Sequence, residues 1–98
     1  MKLYEDERLM YKRMLLKSIE EENQNQLTKW GVQKRTLPEW MLFLTEEVGE
    51  LANAIGEITY RNGTVEAVYV EAIQCATLSC KIADMIEIQR GIEEDESR

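Results

Sequence analysis

The chain has 98 residues, a net charge of −7 and an apolar fraction of 44%. These values predict one folded domain of about three or four helices rather than a disordered chain. The negative charge argues against nucleic acid or an anionic membrane as a partner, because both need a basic surface. No apolar run approaches the roughly 18 residues of a membrane span, and the first six residues lack the character of a signal peptide. We therefore expect a cytoplasmic protein.

The chain contains no histidine and two cysteines, Cys75 and Cys80. Histidine-based zinc sites, histidine-containing triads and di-iron sites of the Glu-x-x-His type are thus excluded. Any acid–base chemistry would fall to carboxylates, Lys, Tyr, Cys or water bound to a metal. The cysteines lie five residues apart on different faces of a predicted helix, which prevents a disulfide between them. We interpret both as small buried residues in a reducing compartment.

Residues 1–30 form the first predicted helical segment. Leu9, Leu16 and Ile19 indicate an apolar face. The stretch 20–26 is wholly polar, so the segment is either one long helix or two shorter ones. Gly31 is expected to end it.

A second helix is predicted over 36–60. Thr36 and Glu39 have the spacing of a capping box, with a proline tolerated between them in the first turn. Apolar residues recur every three or four positions and predict the buried face: Trp40, Leu44, Val48, Leu51 and Ile55. The pair Asn62-Gly63 predicts left-handed conformations in a tight turn.

The third helix is predicted over 64–90. Val68, Cys75, Ile82 and Ile86 mark its apolar face, and Gly91 is its expected end. Residues 91–98 then form a solvated acidic tail without a role in chemistry. The sequence thus predicts an all-α fold with an antiparallel helical hairpin. Because so short a chain buries little, we expect a homodimer or homotetramer with a four-helix-type core.

Oxygen-bearing side chains stand beside the two predicted apolar faces. Glu46, Glu47 and Glu50 lie three or four residues apart, so their carboxylates share one flank of the second helix. Glu71 and Gln74 have the same spacing on the third helix. If the helices pack antiparallel, both flanks converge on one groove, and such oxygen ligands suit Mg²⁺ or Mn²⁺. The alternative is an acidic flank that is simply solvated.

The pattern Glu47-x-x-Glu50 followed by Glu71-x-x-Gln74 resembles the metal motif of MazG-like all-α nucleotide pyrophosphohydrolases. In that family Glu-x-x-Glu is followed, after a variable gap, by Glu-x-x-Asp. The surroundings are similar as well: residues 30–33 (WGVQ) and 38–40 (PEW) resemble the entry segment, and 44–51 (LTEEVGEL) the metal helix. The resemblance runs from about residue 29 to residue 86, over half of the chain.

The resemblance implies a reaction and its residues. Such proteins split a nucleoside triphosphate between its α and β phosphates, releasing the monophosphate and pyrophosphate, with Mg²⁺. By position, Glu47, Glu50 and Glu71 would bind the metal, and Glu46 would be a further ligand or orient the attacking water. Glu46 and Glu47 would thus be the catalytic pair. Divalent ions neutralise the triphosphate and acidify water, so an acidic protein without histidine can carry out this reaction.

The sequence departs from the family pattern at Gln74, where the family has aspartate. Glutamine can coordinate a metal through its carbonyl oxygen, but it carries no charge and cannot act as a base. The site would then bind metal more weakly, bind fewer ions or have lost catalysis. A nucleotide- or metal-binding protein without turnover is therefore a second hypothesis, and a purely structural helical oligomer is a third.

Four residues are candidates for contact with the substrate: Trp30, Gln33, Arg61 and Lys81. Lys81 lies two turns after Gln74 on the same flank, and Arg61 precedes the third helix; each is otherwise an ordinary surface cation. Trp30 offers a π-face to a base but is equally suited to be a core anchor. All of the proposed metal ligands coordinate through oxygen, and both cysteines are expected to lie away from the acidic flank. This favours Mg²⁺ or Mn²⁺ over zinc, which usually takes nitrogen or sulfur ligands.

Overall fold

The computed structural model describes residues 13–96 and contains three helices. They are α1 (Arg13–Trp30), α2 (Leu37–Tyr60) and α3 (Val65–Glu96), and residues 13–96 include no strand. The predicted all-α fold is confirmed. The predictions for residues 1–12, including the apolar contribution of Leu9, lie outside the described residues.

Within the described part of the chain, none of the helices is both long and apolar enough to cross a membrane.

The first helix is continuous through its polar stretch. It ends where expected, because Gly31 adopts a φ of 70° and its N–H donates to the Leu27 carbonyl at 2.8 Å. Yet α1 buries none of its residues. Leu16 is 61% exposed and Ile19 is half-buried. The first helix therefore packs on the outside of α3 and contributes no fully buried side chain to the core.

The predicted capping box is present at the start of α2. The Glu39 N–H donates to Thr36 Oγ1 at 3.4 Å, and the Thr36 N–H donates to Glu39 Oε1 at 3.0 Å. Hydrogen bonds to backbone and side chain of Thr36 lower the pKa of Glu39. These contacts fix where α2 begins, and hence which of its side chains face α3.

The buried face of α2 differs from the predicted one. Trp40 and Ala54 are buried, but Val48 and Ile55 remain about half exposed. The face turned to α3 passes through Trp40, Glu47 and Ala54, which are seven residues apart and so lie two turns apart on one side. The prediction that Val48 and Ile55 are core residues was wrong, because spacing alone does not identify which of two apolar sides meets the neighbouring helix.

The link between α2 and α3 is tight, but not for the predicted reason. Neither Asn62 nor Gly63 has a positive φ. Instead the Gly63 N–H donates to the Glu57 carbonyl at 3.0 Å, and the backbone passes close to the end of α2. A Cβ atom on Gly63 would lie 2.7 Å from Glu57 Cβ and 2.9 Å from the Ile58 nitrogen. Glycine is required here by close approach of the backbone.

The third helix continues through Gly91 to Glu96, so the predicted end at Gly91 was wrong. A glycine inside an exposed helix costs only about 1 kcal/mol, and no proline follows to stop the helix. The acidic residues after it are exposed, as expected. The buried positions of α3 are Ile73, Thr77 and Leu78, whereas the predicted Ile86 is exposed.

The three helices run up, down and up, with α3 in the middle. Antiparallel packing of α2 on α3 follows from the contacts of Glu57 with Gly63 at the link and of Trp40 with Lys81 at the far end. Helix α1 packs against α3 and is held there in part by a hydrogen bond of 2.5 Å between Ser18 Oγ and Tyr69 Oη. The molecule measures 56 × 28 × 22 Å. So elongated a shape buries little, and many large apolar side chains stay exposed.

Candidate metal centre and adjoining cavities

Three carboxylates from two helices meet near the middle of the α2–α3 pair. One oxygen atom from each of Glu47, Glu50 and Glu71 can be chosen so that all three lie within 4.8 Å of one another. Glu47 and Glu71 are half-buried and Glu50 is exposed. The antiparallel register therefore brings the two predicted groups of side chains together, and we call these three residues the carboxylate cluster.

Gln74 lies between two members of the carboxylate cluster. With its amide nitrogen facing them, Gln74 Nε2 donates to Glu47 Oε2 at 2.8 Å and to Glu71 Oε2 at 2.9 Å. The opposite orientation of the amide would place its oxygen against these two acceptors. In the absence of a cation the first orientation is favoured, whereas a cation in the cluster would favour the second.

Burial raises the pKa of Glu47 to about 7, and the charge of Glu50 contributes to the increase. Burial also raises the pKa of Glu71. The hydrogen bond between Glu47 and Glu71 contributes to the raised pKa of Glu47 and opposes the increase for Glu71. The cluster therefore favours protonated carboxyl groups more than free glutamates do, because desolvation and like charges disfavour the ionised forms.

Cys75 lies one turn after Glu71 on the same helix, but its thiol is not among the atoms that converge with the three carboxylates. Burial raises the pKa of its thiol, and the charges of Glu47, Glu71 and Glu50 raise it further. The expectation that both cysteines stand off the acidic flank is therefore not contradicted. A thiol held protonated in this way is a poor metal ligand. Both cysteines are free; Cys75 is half-buried, and Cys80 is exposed rather than buried as expected.

No protein-family model, no curated protein and no solved structure matches the chain. The resemblance to MazG-like pyrophosphohydrolases thus stays a prediction from the motif residues.

Two adjoining cavities open beside the carboxylate cluster. The inner cavity, of about 410 Å³, is lined by Glu46, Glu47 and Gln74 at one end and by aromatic residues at the other. The outer cavity, of about 470 Å³, extends to Lys81 and Lys34. Five residues line both cavities: Gln26, Trp30, Gln33, Arg35 and Trp40. The first helix and the α1–α2 link thus build a wall that leads away from the cluster.

Lys81 is half-buried at the outer cavity without a carboxylate within 4 Å among the described residues. Its ammonium donates to Gln26 Oε1 and stands 5.8 Å from the centre of the Trp40 ring. Burial lowers the pKa of Lys81, and the charge of Glu22 partly opposes this. Gln26 is itself oriented by Glu22, because its Nε2 donates to Glu22 Oε2 at 2.7 Å.

The predicted substrate-contact residues separate into two groups. Trp30, Gln33 and Lys81 all border the outer cavity. Trp30 is 56% exposed, so the interpretation of Trp30 as a core anchor was wrong for the single chain. Arg61 is not brought to these cavities; it pairs with Glu57 at 2.8 Å and lies roughly 15 Å along the helix axis from Glu50.

Sequence reasoning missed two residues of the cavity wall. Trp40 was predicted as core, and it is only 5% exposed, but it also borders both cavities. Its Nε1 is buried and has no hydrogen-bond partner. Gln26, within the polar stretch of α1, holds Lys81. The spacing of Trp40 from Glu47, two turns on one side of α2, was the signal that could have identified Trp40.

Proposed function

We propose that this protein hydrolyses a nucleoside triphosphate to the monophosphate and pyrophosphate in the presence of Mg²⁺ or Mn²⁺. The observation that carries the proposal is the carboxylate cluster, in which oxygens from Glu47, Glu50 and Glu71 converge from two helices. The motif resemblance and the cavities next to the cluster support it. A cytoplasmic enzyme of this kind also agrees with two free thiols.

The residues of the cluster fit a hard divalent cation. Their donor atoms are carboxylate oxygens, to which Gln74 can add an amide oxygen. Burial raises the pKa of Glu47 and the charge of Glu50 adds to the increase, so a bound cation would offset the desolvation of the carboxylate and relieve the repulsion. When bound, such an ion supplies charge neutralisation of the phosphates and lowers the pKa of water. Glu47, Glu50, Glu71 and Gln74 would hold it.

Glu46 is suited to orient the attacking water. It lies next to Glu47 on α2, borders the inner cavity and has no described role in the fold. An exposed carboxylate at this position can accept a hydrogen bond from water and take up its proton. Glu47 shares the cavity wall, and burial raises its pKa.

The direct test measures pyrophosphate release from a panel of canonical and modified triphosphates, with and without Mg²⁺. Glu47→Gln should reduce turnover by about a hundredfold or more, because it removes a charged ligand while keeping the shape of the side chain. Glu66→Gln is the matched control, since Glu66 is an exposed acidic residue in the first turn of α3 outside the cluster. Equal turnover by the parent and Glu47→Gln would overturn the assignment.

A binding protein without turnover is the second candidate, and Gln74 is the residue that favours it. The Gln74 amide donates hydrogen bonds to the carboxylates of Glu47 and Glu71, so the cluster has a stable arrangement without metal. If the parent shows neither pyrophosphate release nor an Mg²⁺-dependent increase in melting temperature, while Gln74→Asp gains both, the site has lost catalysis in this protein. If neither the parent nor Gln74→Asp shows pyrophosphate release or an Mg²⁺-dependent increase in melting temperature, the third hypothesis, a purely structural helical oligomer, is favoured.

We also propose that two or four copies assemble into a four-helix-type core. Large apolar side chains are exposed on each helix, including Leu16 on α1, Leu42 on α2 and Val70 on α3, at 61%, 65% and 47%. Such exposure is typical of surfaces that are covered in an assembly. Light scattering at micromolar concentration tests this proposal, and a monomeric mass would contradict it.

A further inference from the structure

Two donors at the outer cavity, Trp40 Nε1 and Lys81 Nζ, are not fully paired, although acceptor-bearing residues such as Asp84 also line it. The Trp40 indole N–H has no partner, although Trp40 is only 5% exposed. The Lys81 ammonium has three N–H donors, and Gln26 accepts one of them. A buried donor without an acceptor is costly, and native proteins leave few of them. The Lys81 ammonium therefore retains N–H donors to which a ligand could supply an acceptor.

The surroundings of Lys81 distinguish between two kinds of acceptor. The Trp40 ring lies 5.8 Å from the ammonium, and Trp30, Leu27 and Met85 line the same cavity together with the charged Asp84. A phosphate is strongly hydrated and gains little from aromatic walls, whereas a planar heteroaromatic ring packs well against them. A carbonyl oxygen on such a ring can accept a hydrogen bond from the half-buried ammonium, and it brings no negative charge that would neutralise the lysine.

The position of Lys81 relative to the cluster agrees with the dimensions of a nucleotide. Lys81 follows Gln74 by seven residues, or roughly 10 Å along α3. The inner cavity reaches Glu47 and Gln74, and the outer cavity reaches Lys81. A molecule with phosphates at the inner end would therefore extend its base into the outer cavity.

We propose that the outer cavity binds the nucleobase of the substrate, and that Lys81, positioned by Gln26, selects bases with a carbonyl group by donating to that oxygen. The inference rests on the proposed nucleotide hydrolysis and adds a substrate class to it. Uracil, cytosine and guanine carry such a carbonyl, whereas adenine has none. Gln26 is a positioning residue, since it contacts Lys81 and is itself held by Glu22.

Binding without catalysis tests this proposal independently of turnover. The chain has two tryptophans, and both border the outer cavity, so intrinsic fluorescence reports on its occupancy. With EDTA present, uridine monophosphate should quench this fluorescence at lower concentration than adenosine monophosphate, and inorganic pyrophosphate should leave it nearly unchanged. Trp30→Phe and Trp40→Phe assign the quenching to each ring.

The decisive variant is Lys81→Met, which keeps most of the apolar stem and removes the ammonium. The affinity for uridine monophosphate should fall by about tenfold or more, the loss of one hydrogen bond to a charged donor, while that for adenosine monophosphate changes little. Gln26→Leu should reduce the same preference in part. Lys17→Met is the control, because Lys17 is an exposed lysine of α1 paired with Glu21.

Three results would overturn the proposal. They are the absence of quenching by either monophosphate, an unchanged uracil-to-adenine preference in Lys81→Met, and an equal loss for both monophosphates and pyrophosphate, which would assign Lys81 to the phosphates. The readouts also separate this proposal from the proposed function. Pyrophosphate release without selective quenching rejects the base site alone, and selective quenching without pyrophosphate release rejects hydrolysis alone.

Discussion

The α2–α3 pair and α1 differ in how they are held and in what they supply. Every buried residue of the described chain lies on α2 or α3, and the carboxylate cluster is formed by these two helices. The first helix buries none of its residues and contacts α3 through two side-chain hydrogen bonds, one between Ser18 and Tyr69 and one that Lys81 donates to Gln26. The proposed chemistry therefore depends on the packed pair, and the proposed recognition of the base depends on a loosely held helix. Substitutions should separate the two.

The largest expected effect is a loss of stability from the core of the pair. Leu78→Ala should lower the free energy of unfolding by about 2–4 kcal/mol, because Leu78 is 7% exposed and its truncation leaves a cavity in the core. Leu16→Ala on α1 should change it by less than about 0.5 kcal/mol, since Leu16 is mostly exposed. Urea unfolding measures both. A large effect of Leu16→Ala would show that α1 is covered, as in an assembly.

The pH dependence of stability should come from the cluster. The pKa of Glu47 is raised from 4.5 to about 7 in the folded state, so its contribution to stability is complete below pH 4.5 and is lost as the pH rises through 7. Without metal the loss should be roughly 1 kcal/mol, allowing for solvent screening at a half-exposed group. Glu47→Gln should abolish this part of the dependence and be more stable than the parent at pH 8. Thermal unfolding between pH 5 and pH 8 measures it.

Added Mg²⁺ sharpens the same measurement. A cation must displace the proton from Glu47, so its apparent affinity should increase with pH up to about 7 and level off above it. Isothermal titration at several pH values gives the affinity. An affinity that is independent of pH in this range would mean that Glu47 is not a ligand, whatever the turnover.

The capping box offers a smaller effect at the junction of the two regions. Thr36→Ala should lower the free energy of unfolding by about 1 kcal/mol, because the Glu39 N–H loses its acceptor. Thr64→Ala is the matched control at the start of α3, where Thr64 Oγ1 accepts from the Ala67 N–H at 3.2 Å. The Thr36 variant alone should also alter nucleotide-induced quenching, since it loosens the segment next to Arg35 and Trp40. Equal quenching by both variants would contradict a role for this junction.

The smallest effect is expected where α1 meets the beginning of α3. Tyr69→Phe removes the hydrogen bond to Ser18, which joins two exposed groups, and should cost less than about 0.5 kcal/mol. Hydrogen exchange of α1 should nevertheless become faster relative to α2 and α3. Uniform exchange across the three helices in the parent would contradict the distinction between a packed pair and a loosely held helix.

The sequence predicted the parts of the fold that depend on local chemistry. The capping box of Thr36 and Glu39 and the end of α1 at Gly31 are set by residues within one turn, and both were predicted. The cluster was predicted as well, because the spacing of Glu47 and Glu50 and of Glu71 and Gln74 fixes their flanks, and a short link predicts an antiparallel pair.

What failed depends on packing between helices. Apolar residues occur on several sides of α3, so spacing could not tell that Ile73 and Leu78 would be buried and Ile86 exposed. The contact of Gln26 with Lys81 joins residues far apart in the chain, and its partners lie in stretches without a motif. The requirement for glycine at position 63 arises from close approach to α2, which a turn rule does not anticipate.

The close approach of Gly63 to Glu57 fixes where α3 starts relative to the end of α2, and hence the position of Glu71 relative to Glu47 and Glu50. Each residue inserted between this link and Glu71 would turn that carboxylate by about 100° around the α3 axis and advance it by about 1.5 Å. A single insertion would thus remove Glu71 from the cluster. About seven residues would restore its direction, and an equal number on α2 would restore its height. Insertions within the two helices that preserve this cluster should therefore come in matched steps of about seven residues on each helix.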